Sequence, residues 1–116
     1  MEIPEGSVNL KLELRKSIPT NTSLMQNYPN PFNPETWIPY QLKQDSEVCL
    51  HIYGSDGTGI RQIDLGLKPA GKYQASDRAI YWDGRNDDGE HVSSGIYFYR
   101  LQAGDYNQIR KMVILK

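Results

Sequence analysis

EVCLHIYGSDGTGIRQIDL, residues 47–65, consists of two strand-like runs joined by a turn that carries Gly54, Gly57 and Gly59. In the first run Val48, Leu50 and Ile52 share one side, while Glu47, Cys49, His51 and Tyr53 share the other. A side-chain period of two sends the first set to a buried face and the second to a wetter one. The glycines turn the chain back, and GIRQIDL (59–65) runs beside the first strand.

The same unit recurs outward from this hairpin. Nine of the ten glycines lie between Gly54 and Gly104, and the runs they separate are 35–42 (ETWIPYQL), 71–82 (GKYQASDRAIYW), 95–103 (GIYFYRLQA) and 106–115 (YNQIRKMVIL). Short strands at a spacing of roughly ten residues predict an all-β, Ig-like antiparallel sandwich of about seven short strands. In 95–101 both registers are apolar, Ile96 and Phe98 against Tyr97, Tyr99 and Leu101, which predicts a central strand covered on both sides. Tyr97 stands two residues after Gly95 and beside DGRNDDGEHVSSG, where a tyrosine of an Ig-like sandwich returns its hydroxyl to the backbone. No window has helical periodicity with caps, so helix bundles and βαβ folds are excluded, and there is no internal repeat.

Upstream, residues 7–15 (SVNLKLELR) alternate, with Val8, Leu10, Leu12 and Leu14 on one side, and predict a half-buried strand. Residues 17–34 (SIPTNTSLMQNYPNPFNP) carry no charge and hold four of the seven prolines. They read as a linker that passes into an ordered, extended lead-in. There Tyr28-Pro29-Asn30-Pro31 keeps its shape without a hydrogen-bond ladder. The expected organisation is an N-terminal strand and linker from a preceding region over 1–23, then one folded domain over 24–116.

Composition narrows the function. A chain of 116 residues allows one domain and no large catalytic scaffold. Leu, Ile, Val and Phe number 26, enough for a modest core. With 13 basic and 14 acidic residues and a net charge of −1, no polyanion footprint exists, so nucleic acid is excluded as a partner. The longest apolar stretches are four residues (79–82, 96–99, 112–115), too short for a transmembrane segment. MEIPEGSVNL lacks the basic start and apolar centre of a secretory signal, so export has to be directed by a parent protein or another part of the chain. Cys49 is alone and forms no internal disulfide.

Candidate chemistry is sparse. Asp83-Gly84-Arg85-Asn86-Asp87-Asp88-Gly89-Glu90 offers oxygen ligands of the kind calcium loops use, with Asp83, Asn86 and Asp88 as candidate ligands. Gly84 stands where a first carboxylate belongs, so the segment reads as a structural turn with self-capping side chains, framed by Trp82, Asp83, Gly84 and Gly89. His51 and His91 lack zinc spacing, and Cys49 with a histidine lacks an orienting acid and an oxyanion hole. No cofactor and no catalytic residue are expected. The chain reads as non-enzymatic, because a domain this small leaves little surface for a deep cleft. Tyr and Trp residues, among them Trp37, Tyr40, Tyr53, Tyr73, Tyr81 and Trp82, are expected chiefly in the core and its edges.

Three motifs occur in order: LMQNYPNPFNPETWIPYQL (24–42), EVCLHIYGSDGTGIRQI (47–63) and AGKYQASDRAIYWDGRNDDGEHVSSGIYFYRLQAGDYNQIRKMVILK (70–116). Together they resemble the carboxy-terminal sorting domain of type IX secretion substrates. The middle block is also similar to the Ig-like domain of flagellar hook-capping proteins. The resemblance implies a non-catalytic ticket, read by the outer-membrane secretion machinery after the precursor reaches the periplasm. An upstream cargo domain is then delivered to the cell surface or the exterior. Carried over by position, the implied recognition elements are Pro29, Asn30 and Pro31 in the lead-in, Gly95 and Tyr97 in the penultimate strand, and Lys111 and Lys116 in the last. A terminal strand at a sheet edge suits that role, because it offers backbone groups for strand addition while its lysines discourage indiscriminate pairing, and the exposed edges also allow self-association edge to edge. The alternative from another class is a retained Ig-like binding module for carbohydrate or a surface protein. That reading requires at least two coplanar exposed aromatics, drawn from Trp37, Tyr81 and Trp82, where the sorting reading buries most of them and leaves the final strand accessible.

Overall fold

The computed structural model describes residues 18–116, so the strand expected at 7–15 lies outside the described residues. Within them the elements are β1 (Ser23–Leu24), β2 (Thr36–Ile38), β3 (Tyr40–Leu42), β4 (Ser46–Gly54), β5 (Gly59–Lys68), β6 (Gly71–Tyr73), β7 (Ile80–Trp82), β8 (Gly95–Ala103) and β9 (Tyr106–Ile114), with no helix. One sheet has four strands in the order β5-β4-β8-β9. The opposing layer is made of β1-β3-β6 and β2-β7, and every strand pairing is antiparallel.

Two expected strands are each broken in two. Pro39 has no N–H to give a ladder, so 35–42 divides into β2 and β3, and the Pro39 carbonyl accepts from Met25 N at 3.0 Å instead. Residues 71–82 divide at a turn in which the Ala75 carbonyl accepts from both Arg78 N and Ala79 N. The halves keep their partners, since β3 pairs with β6 and β2 with β7.

The alternation of 47–53 is realised in β4. Val48, Leu50 and Ile52 are buried, and Cys49, His51 and Tyr53 are half-buried on the outer face. β8 is central, between β4 and β9, with Tyr97, Tyr99 and Leu101 buried. Its other face is open, because among the described residues no layer covers it. Ile96 is 45% exposed there, and the expectation of a strand covered on both sides is corrected. One core joins the two layers, with Trp82, Tyr40, Tyr99, Leu50, Ile52, Leu101 and Met112 fully buried. Burial of Trp82 contributes roughly 1.5–3 kcal/mol.

The turn after β7 is held against the lead-in at one point. Gly84 has φ +79°, and a Cβ placed on it would stand 2.5 Å from the Pro34 carbonyl oxygen, which is backbone and cannot swing away. Gly89 has a similar φ of +84°, but nothing lies within 4 Å of its missing Cβ. The two glycines therefore separate backbone strain from close approach. Gly89→Ala is expected to destabilise by about 1–2 kcal/mol, the left-handed penalty alone. Gly84→Ala adds a main-chain clash and is expected to lose about 3 kcal/mol or more. Urea midpoints of the two variants measure this, and equal losses would remove the clash from the account.

Candidate functional site

The lead-in and the last strand meet in one place. Asn27 is 2% exposed. Its backbone N–H donates to Tyr99 Oη at 2.9 Å, and its Nδ2 donates to Thr36 Oγ1 at 3.0 Å and to the Pro29 carbonyl at 3.3 Å. Tyr99 Oη donates in turn to the Met25 carbonyl at 2.8 Å. A buried tyrosine of the central strand thus satisfies two main-chain groups of the lead-in, and burial pushes its hydroxyl from the ordinary 10 up to about 12. Tyr28 and Trp37 exchange backbone bonds of 2.9 and 2.8 Å, which ties the lead-in to β2. The expectation of a lead-in without ladder bonds is corrected: prolines remove donors at 29, 31 and 34, and Tyr28 and Phe32 pair through their main chains. The Tyr28-Pro29, Asn30-Pro31 and Asn33-Pro34 bonds are cis.

From Gln26 to Phe32 the lead-in lies along β9. Gln26 Nε2 donates to the Lys111 carbonyl at 2.9 Å and Val113 N donates to Asn30 Oδ1 at 3.0 Å. Phe32 N donates to the Val113 carbonyl at 3.0 Å, Leu115 N donates to the Phe32 carbonyl at 3.1 Å, and Phe32 bridges Ile114 in the parallel sense. β9 ends its sheet, but its outer edge from Lys111 to Leu115 is occupied. The accessible final edge expected from the sequence is corrected for that half of the strand. Phe32 anchors the contact, 2% exposed, with its ring edge-on to Trp82 at 5.7 Å.

The residues singled out in the sequence converge on this end. Gly95 pairs with Ile114 and Tyr97 with Met112 across β8 and β9. Tyr97 Oη donates to the Ser93 carbonyl at 2.8 Å, and its ring meets Trp82 at 6.1 Å. Lys116 N donates to Ser94 Oγ at 3.0 Å, and its Nζ donates to the Val92 carbonyl. Pro29 gives its carbonyl to Asn27 and Thr36, Asn30 accepts from β9, and Pro31 and Lys111 are exposed. Asn27, Phe32, Thr36 and Tyr99 belong to the same constellation and were not singled out. Their partners lie as far as 83 residues away, from Phe32 to Leu115, and only the apolar register of Tyr99 hinted at burial.

The acidic segment is occupied with its own backbone. Asp83 Oδ1 accepts from Arg85 N at 3.1 Å, and Asn86 Oδ1 accepts from Asp88 N at 3.0 Å and Glu90 N at 2.9 Å. Asp87 N donates to the Ile60 carbonyl at 3.0 Å while Asp87 Oδ1 accepts from Gln62 N at 3.2 Å, so this turn plugs part of the β5 edge. Among the described residues no three His, Cys, Asp or Glu side chains come together to hold a metal. Cys49 Sγ donates to Asp64 Oδ1 at 2.9 Å and lies 3.3 Å from His51 Nε2. Burial, reinforced by Asp64, pushes this thiol up to about 11, away from nucleophilic use at neutral pH. Of the aromatics named for a sugar platform, Trp82 is buried. Trp37 and Tyr81 stand side by side on the outer face with Tyr28, at 5.6 and 6.3 Å between rings, and the Trp37 and Tyr81 planes are tilted 54° apart.

Replacing Tyr99 by Phe leaves the Asn27 N–H and the Met25 carbonyl buried without a partner, and is expected to cost about 1–3 kcal/mol. The raised Tyr99 value also has a pH signature. Its stabilisation is complete below pH 10, the unfolded value, and is lost as pH rises towards about 12. Tyr40, also raised by burial, adds to the same alkaline fall. Urea midpoints recorded from neutral pH to pH ~12 should fall more steeply for the native chain than for Tyr99→Phe. Parallel curves would mean that the hydroxyl is not held as described.

The FlgD Ig-like domain model matches residues 34–107. No curated protein matches. Among solved structures, dimeric latent PorU from Porphyromonas gingivalis is similar at TM-score 0.60 and 19% identity, covering 81% of this chain and 9% of PorU. PorZ, an essential bacterial surface component of the type IX secretion system of the same organism, is similar at TM-score 0.56 and 16% identity, covering 81% of this chain and 12% of PorZ. FlgD from P. aeruginosa is similar at TM-score 0.51 and 21% identity, covering 83% of this chain and 67% of that one. The chain therefore spans about a tenth of the length of PorU or PorZ.

Proposed function

The chain belongs to the FlgD Ig-like domain family, and from that premise we propose that it is a non-catalytic sorting domain. It directs an upstream cargo domain from the periplasm across the outer membrane to the surface or the exterior, through recognition by type IX secretion machinery. The observation that carries the reading is the convergence of the lead-in with the β8–β9 hairpin. Asn30, Phe32, Gly95, Tyr97, Lys111 and Lys116 form one end of the molecule although 86 positions separate the first from the last. The fold shared with PorU and PorZ supports it.

The test is export of a reporter fused ahead of residues 24–116 in a host with type IX machinery. Removing Lys111–Lys116 also takes Met112 and Ile114 out of the core, so the fold-preserving comparison is Lys111→Ala with Lys116→Ala. Reporter on the surface or in the medium with the intact end, and reduced with the variant ends, is the expected result. Reporter held in the periplasm by every fusion would overturn the reading.

A second reading, a retained binding module, draws on the outward row Tyr28, Trp37 and Tyr81, of which Tyr28 is 37% and Tyr81 48% exposed. It predicts that Tyr81→Ala leaves the fold intact and abolishes binding to a glycan panel. A native chain that binds no glycan on that panel sets this reading aside.

A further inference from the structure

We infer that the outer edge of β9 from Lys111 to Leu115 is a strand-addition site for an extended peptide segment of a partner, which takes the place of Asn30–Phe32. This rests on the sorting reading, and names the surface that the partner grips and the chemistry it must bring.

The edge is competent to pair, because the lead-in already pairs with it in the parallel sense. The present occupant is a poor strand. Of the four bonds to this edge, only those from Phe32 N and to the Phe32 carbonyl are main chain to main chain. At Val113 N the side chain of Asn30 stands in for a backbone carbonyl, and the Lys111 carbonyl is met not by Asn30–Phe32 at all but by the side chain of Gln26 upstream. A true strand supplies both from its own backbone, at regular spacing. The occupant also buries little: Pro29, Asn30, Pro31, Asn33 and Pro34 are exposed, and Phe32 alone is seated.

The occupied state explains how such an edge persists without pairing at random. Pro29, Pro31 and Pro34 have no N–H, so the far side of the lead-in offers few donors with which to extend the sheet further. Release need not unfold the domain, since Asn27 and Tyr28 are held separately by Tyr99, Thr36 and Trp37. The incoming segment is specified by what it meets. It lies parallel to β9, places an aromatic side chain against Trp82 where Phe32 sat, and brings apolar residues to Val113 and Leu115 and a carboxylate to the exposed Lys111.

The experiment uses the full chain, labelled for amide NMR, and two synthetic probes. One is the lead-in's own sequence, QNYPNPFNP (26–34). The other is a proline-free peptide of alternating Val and Glu with a central Phe. Each is titrated into the native chain, into Asn30→Ala, which alters an exposed residue, and into Phe32→Ala. The alternating peptide is expected to shift the Val113 and Leu115 amide signals and to protect them from exchange. It should bind about tenfold more tightly to Asn30→Ala than to the native chain, and more tightly than the lead-in peptide. Folded Asn30→Ala protein whose Val113 and Leu115 signals are unmoved by either peptide would overturn the inference, whether or not Phe32→Ala folds. The readout involves no secretion apparatus, so a failed export assay and a closed β9 edge are separate results.

Discussion

The buried hydroxyl of Tyr99 sets the path of the lead-in, and much of this end of the molecule follows from that path. Donating to Met25 and accepting from Asn27, it holds an otherwise irregular, proline-rich segment against the central strand of the larger sheet. Once Asn27 is fixed, Tyr28 pairs with Trp37 and Phe32 arrives beside Trp82. Pro34 then presses its carbonyl into the space that Gly84 leaves empty. A polar contact at the centre of an apolar layer is strong because water cannot compete for it, and costly to break for the same reason.

Both edges of the four-stranded sheet are closed by chain that is not itself strand, and at the same end. Gly59, Tyr53, Phe98 and Lys111 form one row across the sheet. Next to that row, Asp87 plugs the β5 edge at Ile60 and Gln62, and the lead-in covers β9 from Lys111 onward. The acidic turn and the proline-rich segment, which look like two unrelated motifs in the sequence, solve the same problem of exposed backbone groups.

What the sequence made legible was local. The alternation of 47–53 carries its own period, so the buried side of β4 follows from seven residues. The breaks at Pro39 and after Tyr73 are equally local, but Ile38 and Tyr40 mask the first, and the polar run Gln74–Arg78 reads as the continuation of one strand. The open face of β8 was misread because two apolar registers do not by themselves say that a second layer exists to cover both. The site was legible in part. Asn30 and Lys116 stand in conspicuous motifs, whereas Asn27 and Phe32 gain their roles from Tyr99 and Trp82, 72 and 50 positions away. No periodicity within the lead-in could report on partners so remote.

The division of labour inside the lead-in decides what can move. Residues up to Tyr28 are fixed by a buried amide and paired backbone bonds. Those from Pro29 to Pro34 carry one buried ring and three bonds to the β9 edge, two from the Phe32 main chain and one from the Asn30 side chain. Local opening follows the density of buried contacts, so the second half is the first to leave while the first half keeps the chain registered on the domain. An edge that opens by releasing a few residues, and closes again on the same residues, remains available to one partner without being exposed to all. The prolines help by removing three of the donors that a chance neighbour would need.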